Sequence, residues 1–131
     1  MTSRLLLPAL ACAALLLGVA CQRRAEPEPD VLVEHEVSPQ PPKVGPAVFS
    51  LRLADADSSK PLAGARVDLE GNMTHAGMTP VFAEASEAEP GNYRATLQLT
   101  MGGDWVVIAH VALPDGRRLE RRFDVKGVRA D

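Results

Sequence analysis

The stretch Asn92-Tyr93-Arg94-Ala95-Thr96-Leu97-Gln98-Leu99-Thr100-Met101-Gly102-Gly103-Asp104-Trp105-Val106-Val107-Ile108-Ala109-His110-Val111 decides the fold. Tyr93, Ala95, Leu97, Leu99 and Met101 alternate with Arg94, Thr96, Gln98 and Thr100. That period of two puts one apolar face on an extended strand. Gly102-Gly103 can take positive φ and reads as a hairpin turn. Residues 105–111 are apolar on both faces, as expected of a central strand. Outward from this stretch, Val31, Val33, His35 and Val37 share a face, as do Phe49, Leu51 and Leu53, Val67 and Leu69, and Leu119, Arg121, Phe123 and Val125. Asp57-Ser58-Ser59-Lys60-Pro61, Pro90-Gly91-Asn92 and Pro114-Asp115-Gly116 punctuate these runs as turns. Nothing after residue 21 sustains a helical period. The expected fold is all-β: an immunoglobulin-like β-sandwich of about seven strands, with Trp105 as the largest core side chain.

Before this domain the sequence changes character. Arg4 is the only charge before position 23, and an apolar run from Leu5 to Ala20 ends in Leu17-Gly18-Val19-Ala20-Cys21. The run is shorter than the roughly 20 residues of a membrane span. It reads as a lipoprotein signal peptide over 1–20, cleaved before Cys21, whose thiol would carry the lipid. Residues 21–30 then form a flexible tether rich in Pro and Glu, with Pro39, Pro41 and Pro42 as a second stiff patch, and the folded domain is expected over 31–128. Without Arg4, 13 Lys and Arg face 17 acids, a net charge of about −4. That balance gives no reason to expect nucleic-acid binding. Cys12 leaves with the signal and Cys21 would be acylated, so no disulfide is expected. The expected location is the periplasmic side of a bacterial envelope, on a membrane through the Cys21 anchor. Gln22 after the lipid cysteine leans toward the outer membrane.

The segment from Gly71 to Pro80 reads as a polar, glycine-containing loop, and it carries Met73, His75 and Met78. Those spacings allow two thioethers and an imidazole to face one point, a donor set that suits Cu(I). Methionines also fill gaps in cores, so packing is the competing reading. Met101 is expected on the inner face beside Leu97 and Leu99, either as core or as a further thioether. His110 shares a face with Val106 and Ile108, where a lone histidine is more often hydrogen-bonded than metal-bound. His35 has no partner in view. No catalytic constellation, phosphate loop or HExxH pair occurs. Asp55 and Asp57 fall in a turn, where Asp serves local hydrogen bonds. The chain does not read as an enzyme.

Several blocks then combine in order: Pro42-Lys43-Val44-Gly45, Pro61-Leu62-Ala63-Gly64-Ala65-Arg66-Val67, the Met73 to Met78 loop, Pro90-Gly91-Asn92-Tyr93 and Met101-Gly102-Gly103-Asp104-Trp105-Val106-Val107. Together they resemble the YtkA-like domain, which is related to the FixH proteins. The resemblance implies a secreted or lipid-anchored module with a role in copper handling. In FixH proteins it implies a link to assembly of copper-containing oxidases, usually with an uncleaved membrane helix that this chain replaces with a lipid anchor. Met73, Met78 and Met101 match family methionine positions, and His75 lies in the same loop. Two functions follow as expectations. One is a Cu(I)-binding envelope module with ligands Met73, His75, Met78 and Met101. The other is a metal-free module that docks on an unknown envelope protein.

Overall fold

The computed structural model describes residues 30–131. The expected signal peptide, Cys21 and the tether as far as Pro29 lie outside the described residues. Eight strands form two four-stranded antiparallel sheets. One has the order β1 (Val31–Ser38), β2 (Gly45–Asp55), β6 (Asn92–Leu99), β5 (Ser86–Glu89). The other has the order β4 (Val81–Glu84), β3 (Arg66–Met73), β7 (Gly103–Ala112), β8 (Arg118–Val128). This is the strand order of an immunoglobulin constant-type sandwich with one strand, β4, added beside β3. The addition accounts for eight strands rather than seven.

Alternation dictates the layers. Phe49, Leu51 and Leu53 of β2 and Leu97 and Leu99 of β6 are almost fully buried against Leu69 of β3 and Trp105 and Val107 of β7. The polar positions between them face solvent. No polar or charged residue is buried among the described residues, and the polar atoms that the core does enclose, the Tyr93 hydroxyl and the Trp105 indole N–H, are hydrogen-bonded. β7 stands where antibody domains place one half of their inter-sheet disulfide. Here β7 instead carries Trp105, 1% exposed and the largest fully buried side chain among the described residues.

Two connections differ from the sequence reading. The glycines at 102 and 103 do not close a hairpin, because β6 and β7 lie in different sheets. The turn carries the chain across the sandwich, with Gly103 at φ 122°. The Pro39 to Pro42 patch is not tether. It crosses from β1 to β2, and Pro42 and Val44 exchange backbone hydrogen bonds with Arg129 at 3.0 and 2.7 Å. By contrast, Pro114-Asp115-Gly116 does join antiparallel neighbours, β7 and β8.

Pairing register defines two ends. At the near end the chain enters at Asp30, Val31 pairs with Asp55, and Arg66 pairs with Ala112, which pairs with Arg118. At the far end Gly45 pairs with Leu99, Met73 with Trp105 and Gly103 with Val128. The bridge between Lys43 and Arg129 ties both sheets at that far end.

Candidate functional site

The near end is built for structure. Tyr93 is 1% exposed, and its hydroxyl accepts from the Ala65 N–H at 3.0 Å and donates to the Leu62 carbonyl at 2.7 Å. Burial pushes its pKa up. The Glu87 carboxylate accepts from the Gly64 N–H at 3.2 Å and the Gly91 N–H at 3.1 Å. The Gly91 N–H, first among these donors, holds Glu87 below the usual carboxylate range. Gly91 itself sits at φ 79°, and a Cβ there would lie 2.7 Å from Pro61. The blocks around Pro61 and Pro90 are therefore clasped to each other. Asp55 closes the next turn, accepting from the backbone of Asp57 and Ser58 and from the Ser58 hydroxyl. The Ser58 backbone bond lowers its pKa.

The far end gathers the expected metal ligands. Apart from Met1, the sequence has three methionines, Met73, Met78 and Met101. Met73 is the last residue of β3, half-buried and packed on the edge of the core. The sequence reading placed it in a loop that began at Gly71. The strand instead runs through Gly71, which is buried because a Cβ there would lie 2.9 Å from both Leu97 and Val81. His75 and Met78 stand on the exposed connection from β3 to β4. Met101 does not continue the inner face of β6, which ends at Leu99. The chain turns outward there, and the Met101 carbonyl accepts the buried Trp105 indole N–H at 2.9 Å. Its side chain is left 47% exposed, against 36% for Met78. All four residues thus belong to one end of the sandwich, two on fixed backbone and two on a loop. Among the described residues, no methionine is in the buried core.

The outer face of the β4-β3-β7-β8 sheet holds a cluster that sequence reading missed. His110 on β7 lies between Glu70 on β3, 2.9 Å from Nε2, and Glu120 on β8, 3.0 Å from Nδ1. Carboxylates only accept, so both contacts are hydrogen bonds only when the ring is protonated. The Glu70 bond, first among the causes, raises the pKa of His110. Glu70 in turn is lowered, chiefly by the Asn72 side-chain amide and then by His110. The sequence reading put His110 on an apolar face as a hydrogen-bonded residue, but its partners come from strands 40 residues upstream and 10 downstream, so only the register shows them. His35 is exposed and stacks on Phe123 with ring centroids 4.0 Å apart. Phe82 on β4 is 71% exposed and had no signal in its short, charged surroundings. Among the described residues, no three His, Cys, Asp or Glu side chains group so as to hold a metal ion.

Fold and site together define an immunoglobulin-like β-sandwich with a methionine-bearing end. The family model described as YtkA-like matches residues 30–110, more than half of the chain. The chain belongs to the YtkA-like family. The match ends at His110 inside β7, while the second sheet is completed by β8. No curated protein sequence matches this one. Among solved structures, murine CRIg is similar at 12% identity and a TM-score of 0.44, over 76% of this chain and 98% of that one. A likeness of that size bears on nothing further.

Proposed function

We propose that this protein is an envelope lipoprotein, anchored through Cys21, that takes up Cu(I) at the far end of its sandwich and passes it to a protein partner in the same compartment. Met73, Met78, Met101 and His75 are the ligand set. One observation carries the reading: every internal methionine lies at one end and none in the buried core. Methionine used as filler belongs among core side chains, and here the buried core is Leu, Val, Ala, Phe, Tyr and Trp, with Met73 only at its edge. Thioethers and a neutral imidazole are soft, uncharged donors, which fit Cu(I) better than hard cations. Outside the cytoplasm, thioethers also hold copper without the disulfide formation that paired thiols undergo.

The point at which the described chain enters the domain supports the same reading. The chain enters at the near end, and β2 with its 11 residues runs from the far end to the near end. At about 3.3 Å per residue the ligand end lies roughly 35 Å from the entry point. The methionines therefore stand at the end opposite the point where the chain enters the domain, open to a soluble or membrane-bound partner.

The test is metal analysis and competitive Cu(I) titration of the purified protein beside Met78→Ala with Met101→Ala. Both sites are exposed, so this variant should keep its melting temperature and lose Cu(I) affinity by about tenfold or more. Unchanged affinity in the variant would refute the ligand assignment. The second reading, a metal-free docking module, draws on the 71% exposure of Phe82 near an outer face that also holds half-buried Ile108. It predicts that wild type binds no Cu(I), and that Phe82→Ser abolishes partner capture without changing stability.

A further inference from the structure

We infer that Met78 and Met101 are oxidation sites, at which a hydroperoxide or hypohalous acid converts thioether to sulfoxide and closes the far end to Cu(I) while the fold persists. The copper clause rests on the proposed function; the order of oxidation does not. Reactivity of a thioether follows its access to oxidant. Met101 and Met78 are 47% and 36% exposed. Met73 is half-buried at the core edge, its methyl so near the backbone of Gly103 that a Cβ there would lie 3.3 Å away. Three sulfurs of one ligand set therefore divide into two open to solvent and one shielded.

The consequences divide the same way. Met101 supports the core through its backbone carbonyl, which holds the Trp105 indole, and not through its side chain. Met78 lies on an exposed loop. A polar oxygen on either sulfur meets water. On Met73 it would enter apolar packing beside Trp105, its register partner. The reaction needs no residue of the protein as catalyst. The sulfur lone pair attacks one oxygen of hydrogen peroxide, the S–O bond forms as the O–O bond breaks, and sulfur gives up two electrons. The displaced hydroxide takes the proton of the hydroxyl transferred to sulfur and leaves as water, so thioether and peroxide become sulfoxide and water. The sulfoxide is a polar group and no longer a soft donor, so Cu(I) loses two of its ligands.

The experiment treats the full chain with limiting hydrogen peroxide and follows each methionine-containing peptide by mass spectrometry, alongside melting temperature and Cu(I) competition. Met78 and Met101 should gain oxygen at least roughly tenfold faster than Met73. Protein oxidised only at those two positions should melt as the untreated protein does and bind Cu(I) at least about tenfold more weakly, with recovery after enzymatic sulfoxide reduction. Oxidation of Met73 at the same rate, or a fall in melting temperature while Met73 is intact, overturns the inference. Unchanged Cu(I) affinity after oxidation overturns its copper clause alone. Untreated protein that binds no Cu(I) overturns the proposed function, and the mass spectra still decide the order of oxidation.

Discussion

Tyr93→Phe removes one oxygen and should cost about 2–3 kcal/mol. That hydroxyl accepts from Ala65 N–H at 3.0 Å and donates to Leu62 C=O at 2.7 Å, on a side chain 1% exposed. Phenylalanine keeps the ring and its packing, so the change isolates the two bonds. Each partner left unpaired costs about 1–3 kcal/mol when water cannot replace the lost bond. Leu62 and Ala65 are half-buried rather than sealed, so some water reaches them and the low end of that range applies, about 1–1.5 kcal/mol for each partner. For a domain near 100 residues, about 4–8 °C of melting temperature goes with each kcal/mol. The expected fall is then on the order of 8–24 °C. Urea denaturation should show a lower midpoint with an unchanged slope, since the native and unfolded surfaces stay the same. A loss below about 0.5 kcal/mol would show that the clasp between the two near-end blocks does not hold the fold together.

Other outcomes can be checked at small cost. Gly71→Ala puts a methyl 2.9 Å from Leu97 and Val81, and denaturant melts should show a loss of about 1–3 kcal/mol from overpacking; a neutral result would mean that β4 shifts freely. The Glu70-His110-Glu120 cluster should make stability depend on pH. His110 is raised, so its contribution is complete below the unfolded imidazole value of about 6.5 and is lost as pH rises through the folded pKa. Glu70 is lowered, so its contribution disappears as pH falls through the carboxylate range. Wild type should exceed His110→Gln by at most ~1 kcal/mol between those limits, given the exposure of the pair and solvent screening, and urea melts at about pH 5.5 and about pH 8.5 should show the advantage shrinking at the higher value. An advantage that grows with pH would reverse the assigned sign. Cys21→Ser should abolish labelling by palmitate while export continues, and label on the variant would rule out lipidation at Cys21. His75→Ala should weaken Cu(I) binding and leave the melting temperature unchanged, because the side chain stands on the exposed β3–β4 connection; an unchanged Cu(I) affinity would remove His75 from the ligand set.

Most of the sandwich is written in the sequence as alternation, and the exceptions have physical causes. The two strands not read from sequence, β4 and β5, span Val81–Glu84 and Ser86–Glu89. Both are four-residue edge strands. The chain switches sheets between them at Ala85, whose N–H bonds the Val67 carbonyl, so neither strand has a long buried face to impose a pattern. The crossing at Gly102-Gly103 was legible as a turn but not as a change of sheet, because a glycine pair allows both and only the partners of β6 and β7 decide. Met101 fits the alternation of β6 and yet leaves it, since the buried Trp105 N–H needs an acceptor and takes the Met101 carbonyl. The satisfied indole thus displaces a methionine from the core to the surface. In the same way His110 reads from sequence as an isolated ring, although register gives it two carboxylates.

The blocks that mark the family divide between the two ends of the molecule, and the division bears on what family membership can say about function. Those around Pro61 and Pro90 meet at the near end, where Tyr93, Glu87 and Gly91 bind them together. Their residues are demanded by backbone geometry: a turn at positive φ, a buried hydroxyl with two partners, a carboxylate that collects N–H groups. Such demands hold whatever the domain binds, so a match to these blocks supports the architecture and is silent on cargo. The far end carries no comparable backbone demand for sulfur. Leucine could pack where Met73 sits, and any polar residue could occupy the exposed positions 78 and 101. Met73 contributes burial at the core edge that leucine could also supply, and the exposed side chains at 78 and 101 add little to it. An activity is then the simpler reason for three thioethers at one end, and substitution at the far end, not at the near end, separates a copper module from a docking module.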